Sequence, residues 1–179
     1  LNELGQLRTI DVRQTDGVTY IAITADDGNH TKNVGSIRDV PLHKDVLDAG
    51  FLQYVESQKA GRLFPNLKPD KYGILTSSYS KKFGRDLRDV IGVKDKSRVF
   101  HSFCHALKDL CRNVDIPRDV HDQITGHQDR SASSGYGLGY SLATLDRYLQ
   151  RINTGVQLPR KSYQIPNGIG TQEASSQEE

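Results

Sequence analysis

The first quarter of the chain shows the alternation of apolar and polar residues that is typical of β-strands. LRTIDVRQT (7–15) and VTYIAIT (18–24) flank a polar turn at residues 15–17, and Ile21 and Ile23 alternate with their neighbours in the second stretch. This period of two predicts two strands, and a third short strand is predicted in IRDVPLH (37–43) after a polar loop. Three consecutive strands with short connections predict a small antiparallel sheet near the N-terminus.

The rest of the chain follows a helical period. Leu1, Leu4 and Leu7 have helical spacing, and the later segments predicted to be helical are 43–58, 76–91, 101–114, 117–125 and 141–153. This order of elements predicts a mainly α-helical α+β domain over residues 1–153. No capping residue precedes Leu1, so we expect the chain to begin within a helix, as a piece of a longer protein. Residues 154–179 hold little periodic apolar content and are predicted to form a loose C-terminal tail.

The composition indicates a protein with a large charged surface. Of its 179 residues, 35% are hydrophobic and 26% are charged, and no apolar run approaches the length that spans a bilayer. Cys104 and Cys111 lie on one predicted helix, about 10 Å apart along its axis, which is too far for a disulfide. We therefore expect a reducing, cytoplasmic setting without a membrane partner.

Positive charge is concentrated in the middle of the chain. Residues 59–98 contain eleven Lys and Arg against four Asp and Glu, a surplus of seven, although the whole chain has a net charge of only +2. Such a block is typical of a surface that binds a polyanion, and a solvated charged helix face is the alternative interpretation.

The stretch HSFCH (101–105) could hold a metal ion or serve another chemistry. On a helical wheel, Phe103, Ala106, Leu107, Leu110 and Val114 form the face that is expected to meet the core, whereas His101, His105, Lys108 and Arg112 form a basic stripe. A zinc ion bound by His101 and Cys104 would need further ligands and would lie beside two cations. The stripe therefore favours an anion, and no metal site is predicted.

Three motifs, in order, resemble the pattern of the tyrosine recombinases, the phage integrase family. The pattern has His-x-x-Arg on a helix, then Gly-His, then a tyrosine nine residues later; here HSFC begins at His101, ITGH ends at His127, and Tyr136 follows in SSGYGLGYSL. TKNVGSIRDVPLH is similar to the family's hairpin segment and places Lys32 at the position of its catalytic lysine. LNELGQLR is similar to the sequence just after the family's first catalytic arginine, so the resemblance covers about residues 1–153.

Two departures from the family pattern concern its arginines. The first arginine would stand immediately before Leu1, and the second is replaced by Cys104. A thiol is a weak hydrogen-bond donor, and a thiolate would repel a phosphate, so Cys104 cannot substitute for a guanidinium. The resemblance therefore implies a chain that binds DNA but cleaves it poorly or not at all.

The resemblance also implies a role for each matching residue. Tyr136, flanked by glycines, would be the nucleophile that forms a 3′-phosphotyrosine, with Tyr140 as its rival. His127 would donate to the phosphate, His101 would assist as a donor or proton acceptor, and Lys32 would protonate the leaving 5′-oxygen. Glu3 matches a carboxylate that steadies the first arginine.

The implied fold, partners and setting are those of a DNA breaking–rejoining enzyme. The substrate would be double-stranded DNA recombination sites, brought together by a homotetramer, with a monomer expected for this isolated piece and no cofactor required. The setting would be the nucleoid of a bacterial host, where the system served could be a phage or other mobile element, a genomic island or chromosome resolution. The basic residues expected to contact the DNA backbone are Lys81, Lys82, Arg85, Arg88 and Lys108. The alternative hypothesis is a DNA-binding protein that keeps the fold without the chemistry.

Overall fold

A three-stranded antiparallel sheet forms near the N-terminus in the order β1–β2–β3, as predicted. The structure, a computed structural model, describes residues 1–25, 36–127 and 139–159. The strands are β1 (Val12–Thr15), β2 (Val18–Ile23) and β3 (Arg38–Pro41). Between β1 and β2 the chain turns at Asp16 and Gly17, whose φ angles of 50° and 78° match the tight hairpin turn that suits the strand twist.

Seven α-helices lie in the described residues and contain several times as many residues as the three strands, which confirms the mainly helical α+β class. They are α1 (Asn2–Gln6), α2 (Lys44–Asp48), α3 (Phe51–Ser57), α4 (Ser77–Asp89), α5 (Ser102–Asn113), α6 (Arg118–Thr125) and α7 (Leu142–Leu149), with a short 3₁₀ helix at Thr9–Asp11. The prediction of a single helix over 43–58 is wrong, because this segment forms the two helices α2 and α3. Gly50 has a φ of 93°, in the left-handed region, and this ends α2 and redirects the chain into α3.

In the described part of the chain, most buried apolar residues belong to two clusters, and Val40 of the sheet contacts both. One cluster joins α5, α6 and α7 through Cys111, Ile116, Val120, Ile124, Leu145, Leu149 and Ile152. The other joins the sheet to the N-terminal segment through Leu7, Ile21, Ile23, Leu42 and Leu63. Val40 packs against both clusters, so β3 is the element that couples the helical part of the chain to the sheet.

Helix α4 lies outside both clusters and is held by aromatic contacts. None of its residues is buried, and Phe83 packs against Phe100 and Phe103 with ring centroids 5.4 and 5.9 Å apart. The expectation that Phe103 and Ala106 lie on the core face of α5 is wrong, since Phe103 is 58% exposed and Ala106 is exposed. The core face is centred on Cys111, flanked by Leu107 and Leu110, whereas Phe103 packs on Phe83 of α4.

Arg38 connects three separate parts of the chain through one guanidinium group. Its Nη2 lies 2.9 Å from Oε2 of Glu3 in α1, and its Nε donates to the carbonyl oxygen of Ile124 in α6 at 3.0 Å. Its Nη1 donates to the Ser36 carbonyl oxygen at 2.7 Å. The side chain is only 13% exposed, so these bonds are formed largely out of water and hold α1, β3 and the end of α6 in a fixed relation.

Within the described ranges, no helix is long and apolar enough to cross a membrane.

We predict that Gly126→Ala destabilises the fold more than Gly92→Ala. Both glycines have positive φ angles, of 73° and 80°, so alanine costs about 1–2 kcal/mol at either position. A Cβ at position 126 would also lie 2.7 Å from Nη1 of Arg38, whereas nothing lies within 4 Å at position 92. Crowding of the bonded guanidinium should add about 1–3 kcal/mol. Urea unfolding measures both variants, and equal losses of unfolding free energy would contradict the role given to Arg38.

Candidate functional site

His127 lies directly after the C-terminus of α6 and is positioned by the turn that ends this helix. Gly126 adopts a left-handed conformation, and the backbone N–H of His127 donates to the Asp122 carbonyl oxygen at 2.9 Å. A glycine in this position is the usual way in which an α-helix ends. The turn leaves the His127 side chain exposed at the end of the helix that Arg38 holds against β3.

Two groups of α6 contact the His127 ring. The Thr125 hydroxyl lies 2.7 Å from Nδ1 of His127, and the same hydroxyl donates to the His121 carbonyl oxygen at 2.8 Å. The His121 ring is stacked on the His127 ring, with centroids 6.0 Å apart and an interplanar angle of 25°. The orientation of the His127 imidazole is therefore set by its own helix.

His121 and Asp122 form a second hydrogen-bonded pair beneath this ring. Nδ1 of His121 lies 2.8 Å from Oδ1 of Asp122, and Nε of Arg118 lies 3.3 Å from the other carboxylate oxygen. His121 is buried, and its Nε2 has no hydrogen-bond partner among the described residues. Because a carboxylate only accepts, Nδ1 of His121 carries the hydrogen in this pair. Sequence reasoning missed His121, Asp122 and Thr125.

His101 lies at the start of α5, where it precedes the first helical residue. Its ring meets the His105 ring edge-on, with centroids 5.2 Å apart. Cys104 is exposed on the same turn, so the three residues of the HSFCH motif that could carry chemistry share one surface. His101 makes no ring contact or hydrogen bond with His127 within the part of the chain that the structure describes.

The two cysteines have opposite environments. Cys111 is buried in the core, and burial raises the pKa of its thiol because the thiolate would lose its hydration. Cys104 is exposed, at the position that the family pattern gives to an arginine. The helical wheel places Cys104 near the basic stripe and Cys111 nearer the core, and the exposure of the two thiols agrees with this prediction.

Tyr140, the rival to Tyr136, is hydrogen-bonded to α6. Its hydroxyl donates to Oδ2 of Asp119 at 2.7 Å, and this bond, followed by partial burial and the charge of Asp119, raises the pKa of the Tyr140 phenol. The Gln123 side chain accepts from the Tyr140 backbone N–H at 2.9 Å and donates to its carbonyl oxygen at 3.0 Å. A tyrosine held in this way is a poor nucleophile and serves to anchor the chain to α6.

Lys32 and Tyr136, the predicted general acid and nucleophile, lie outside the described residues. Of the predicted catalytic residues, the structure describes His101 and His127, on the neighbouring helical segments α5 and α6. Glu3 is described as well, and its carboxylate binds Arg38.

Three of the five predicted DNA-contacting residues lie along one face of α4. An open groove follows this face and is lined by Ser78, Lys81, Gly84, Arg85, Arg88 and Asp89. Arg88 already donates to the carbonyl oxygens of Gly84, Lys96 and Arg98. Lys82 pairs with Asp86 within α4, and Lys108 is half-buried on α5. Lys81 and Arg85 therefore remain the groove cations without a hydrogen bond or ion pair to any described residue.

No three His, Cys, Asp or Glu side chains in the described ranges come together in a way that could hold a metal ion. Neither a protein-family model, nor a curated protein, nor a solved structure matches the chain. The function is therefore inferred from the residues and their geometry.

We predict that a thiol reagent such as Ellman's reagent labels Cys104 rapidly and Cys111 only after unfolding. Exposure makes the first thiol accessible, whereas the second is buried and has a raised pKa. Absorbance should show one fast equivalent per folded chain and a second equivalent in denaturant. The matched control is Cys104→Ser, which should show no fast phase; a fast phase in that variant would place Cys111 at the surface.

Proposed function

We propose that this chain is a DNA strand-breaking and rejoining domain of the tyrosine recombinase type, with impaired cleavage. Its fold would be that of the DNA breaking–rejoining enzymes, and its substrate would be double-stranded DNA recombination sites. The chemistry would be attack by Tyr136 on a backbone phosphate. Cys104, at the position of a catalytic arginine, would make the reaction slow or prevent it.

The observation that carries this proposal is the pair of anchors that α6 provides. One anchor is His127, fixed by the turn after the helix, and the other is Tyr140, whose backbone is bonded on both sides to Gln123. Tyr136 precedes Tyr140 by four residues, which span at most about 14 Å of chain. The proposal requires Tyr136 to reach a phosphate bound at His127, and this short separation along the chain from Tyr140 is compatible with that requirement.

The proposed reaction conserves the phosphodiester bond energy. The Tyr136 phenol would lose its proton, to His101 or to water, and its oxygen would bond to phosphorus as the 5′-oxygen leaves. Lys32 would protonate that leaving oxygen, and His127 would bind a nonbridging oxygen as negative charge develops. A free 5′-hydroxyl on a second strand would then reverse the step and release Tyr136. A covalent intermediate of this kind requires neither a nucleotide nor a metal cofactor.

The position of Cys104 explains why cleavage should be impaired. The thiol is exposed on the first turn of α5 beside His101, where an arginine could reach a bound phosphate with two parallel hydrogen bonds. A thiol offers one weak donor and no positive charge. Loss of a single preorganised donor typically slows such reactions by about 10²–10³-fold.

A second candidate function is DNA binding without strand cleavage. The basic groove of α4 favours it, because Lys81 and Arg85 are available to bind phosphates independently of Tyr136. Absence of the arginine would then be a property of a binding protein rather than a defect of an enzyme.

As part of the recombinase proposal, a homotetramer would pair two recombination sites, and a monomer is expected for this chain alone.

We predict that the chain binds duplex DNA with an affinity that falls steeply as the salt concentration rises. Each phosphate contact releases counterions, so replacing Lys81 and Arg85 with alanine should lower the slope of log K against log salt by about two. Fluorescence anisotropy with a labelled duplex measures these slopes. The control is Lys44→Ala, which removes one positive charge from α2, outside the groove, and should leave the slope unchanged. Identical slopes for all three proteins would show that Lys81 and Arg85 of α4 do not contact the DNA.

We predict that Cys104→Arg restores phosphotyrosine formation when the chain also carries, before Leu1, the arginine-containing helix segment of the family pattern. The substrate is a pool of nicked duplexes of random sequence, from which the fragment beyond the nick diffuses away and traps the adduct. Denaturing gels should show a covalent band that is at least about 10²-fold weaker without the substitution.

The control for this experiment carries Tyr136→Phe in the repaired chain and should form no adduct. An adduct that persists in the control would show that a residue other than Tyr136 is the nucleophile. No adduct in the repaired chain, together with salt-dependent DNA binding, would favour the second candidate function.

A further inference from the structure

The Thr125 hydroxyl has one hydrogen and, among the described residues, three oxygen or nitrogen atoms as hydrogen-bonding neighbours. The carbonyl oxygen of His121 lies 2.8 Å away and that of Asp122 lies 3.5 Å away, and both can only accept. Nδ1 of His127 lies 2.7 Å away. If the hydroxyl hydrogen pointed to His127, two oxygen lone pairs would face each other at 2.8 Å, which is repulsive.

The arrangement that satisfies both short contacts assigns the hydrogens. The Thr125 hydroxyl donates to the His121 carbonyl oxygen, and its lone pair accepts a hydrogen from Nδ1 of His127. The neutral His127 ring then has its hydrogen on Nδ1 and a lone pair on Nε2. A second hydrogen-bonding group selects the imidazole tautomer in the same way in many metal and proton-transfer sites.

This tautomer changes how His127 can meet a phosphate. A phosphate oxygen accepts hydrogen bonds, and so does an unprotonated Nε2, so the two repel. Nε2 becomes a donor to phosphate only when the ring takes up a proton and becomes an imidazolium, because Nδ1 keeps its hydrogen for Thr125. In the other tautomer, a neutral ring would donate without any proton uptake.

We propose that Thr125 holds His127 in the Nδ1–H tautomer, so that His127 binds a phosphodiester oxygen through Nε2 only after taking up a proton. The tautomer of His127 is a property of the free protein alone, whereas its binding to a phosphodiester rests on the proposed function. Thr125 acts as a positioning residue and His127 as the group that touches DNA. DNA binding is thereby coupled to the protonation of one histidine.

Several charged and titratable groups surround this end of α6. His121 is stacked on His127, and Asp122 accepts from His121 and pairs with Arg118. From the other elements, the Arg38 guanidinium meets α6 at Gly126 and is paired with Glu3 of α1. Arg38 is paired with Glu3, and Arg118 is paired with Asp122. Among the described groups, the Thr125 hydroxyl lies within hydrogen-bonding distance of Nδ1 of His127, so the bond to Thr125 decides the tautomer.

The first test is nitrogen NMR of the intact ¹⁵N-labelled chain at a pH where its imidazoles are neutral. Long-range proton–nitrogen spectra distinguish a ring nitrogen that carries hydrogen from one that does not, and His127→Gln identifies the His127 signals. We expect hydrogen on Nδ1 in the parent chain and in Thr125→Ser, which keeps the hydroxyl. Thr125→Val removes the acceptor and should shift the population towards hydrogen on Nε2, the form that free histidine prefers. Hydrogen on Nε2 in the parent chain would overturn the inference.

The second test is the affinity for a short duplex as a function of pH at constant salt. Uptake of one proton weakens binding by up to about tenfold per pH unit once the imidazolium deprotonates. The parent chain and Thr125→Ser should show this loss, whereas Thr125→Val and His127→Gln should show a shallower dependence. Equal pH dependence in all four proteins would contradict the claim that His127 takes up a proton when DNA binds. It would not contradict DNA binding itself. If the chain bound no DNA at any pH, both the proton-coupled binding and the proposed function would be overturned. The NMR experiment would still decide the tautomer of His127.

Discussion

The Arg38 guanidinium is the interaction on which the arrangement of the candidate site depends. It is bonded to Glu3 in α1, to the backbone before β3, and to the Ile124 carbonyl oxygen in the last turn of α6. These contacts come from residues that are far apart in sequence, and the group that joins them is mostly withdrawn from water. Removal of one partner from such a partly buried network lowers stability, because the remaining charged and polar groups lose their compensation. Arg38 thus holds the end of α6, and with it the turn at Gly126 that positions His127, against the sheet.

The end of α6 combines rigidity with a surface that can receive an anion. His127 is exposed but has its ring held by Thr125 and His121, so its orientation is prepared before any ligand binds. Once the ring is protonated, Nε2 of His127 would be a donor that is already oriented, and such preorganised donors are effective because they do not have to reorganise during the reaction. The basic face of α4 adds charge without such precision, since its lysine and arginine side chains project from a helix that contributes nothing to the core. We infer that α4 would supply affinity and α6 would supply positioning.

The sheet could be predicted from sequence because Ile21 and Ile23 alternate with their neighbours in β2, and β1 and β2 are joined by a polar turn at Asp16 and Gly17. The division of α2 from α3 at Gly50 could not, since an isolated glycine is often tolerated within a helical pattern. Phe103 was assigned to the core because a helical wheel shows which residues share a face but not which neighbour covers it. Thr125 and His121 look like ordinary positions of an amphipathic helix. The signal that could have identified them is their spacing, one helical turn apart and next to His127.

The most direct test of the account is an experimental structure of the chain bound to a DNA duplex. The account predicts that one backbone phosphate lies within hydrogen-bonding distance of Nε2 of His127 and close to His101, with Tyr136 able to reach it from the same or a neighbouring subunit. The groove of α4 should face an adjacent stretch of the backbone. A complex in which DNA lies on another face, with His127 and Tyr136 remote from every phosphate, would contradict it.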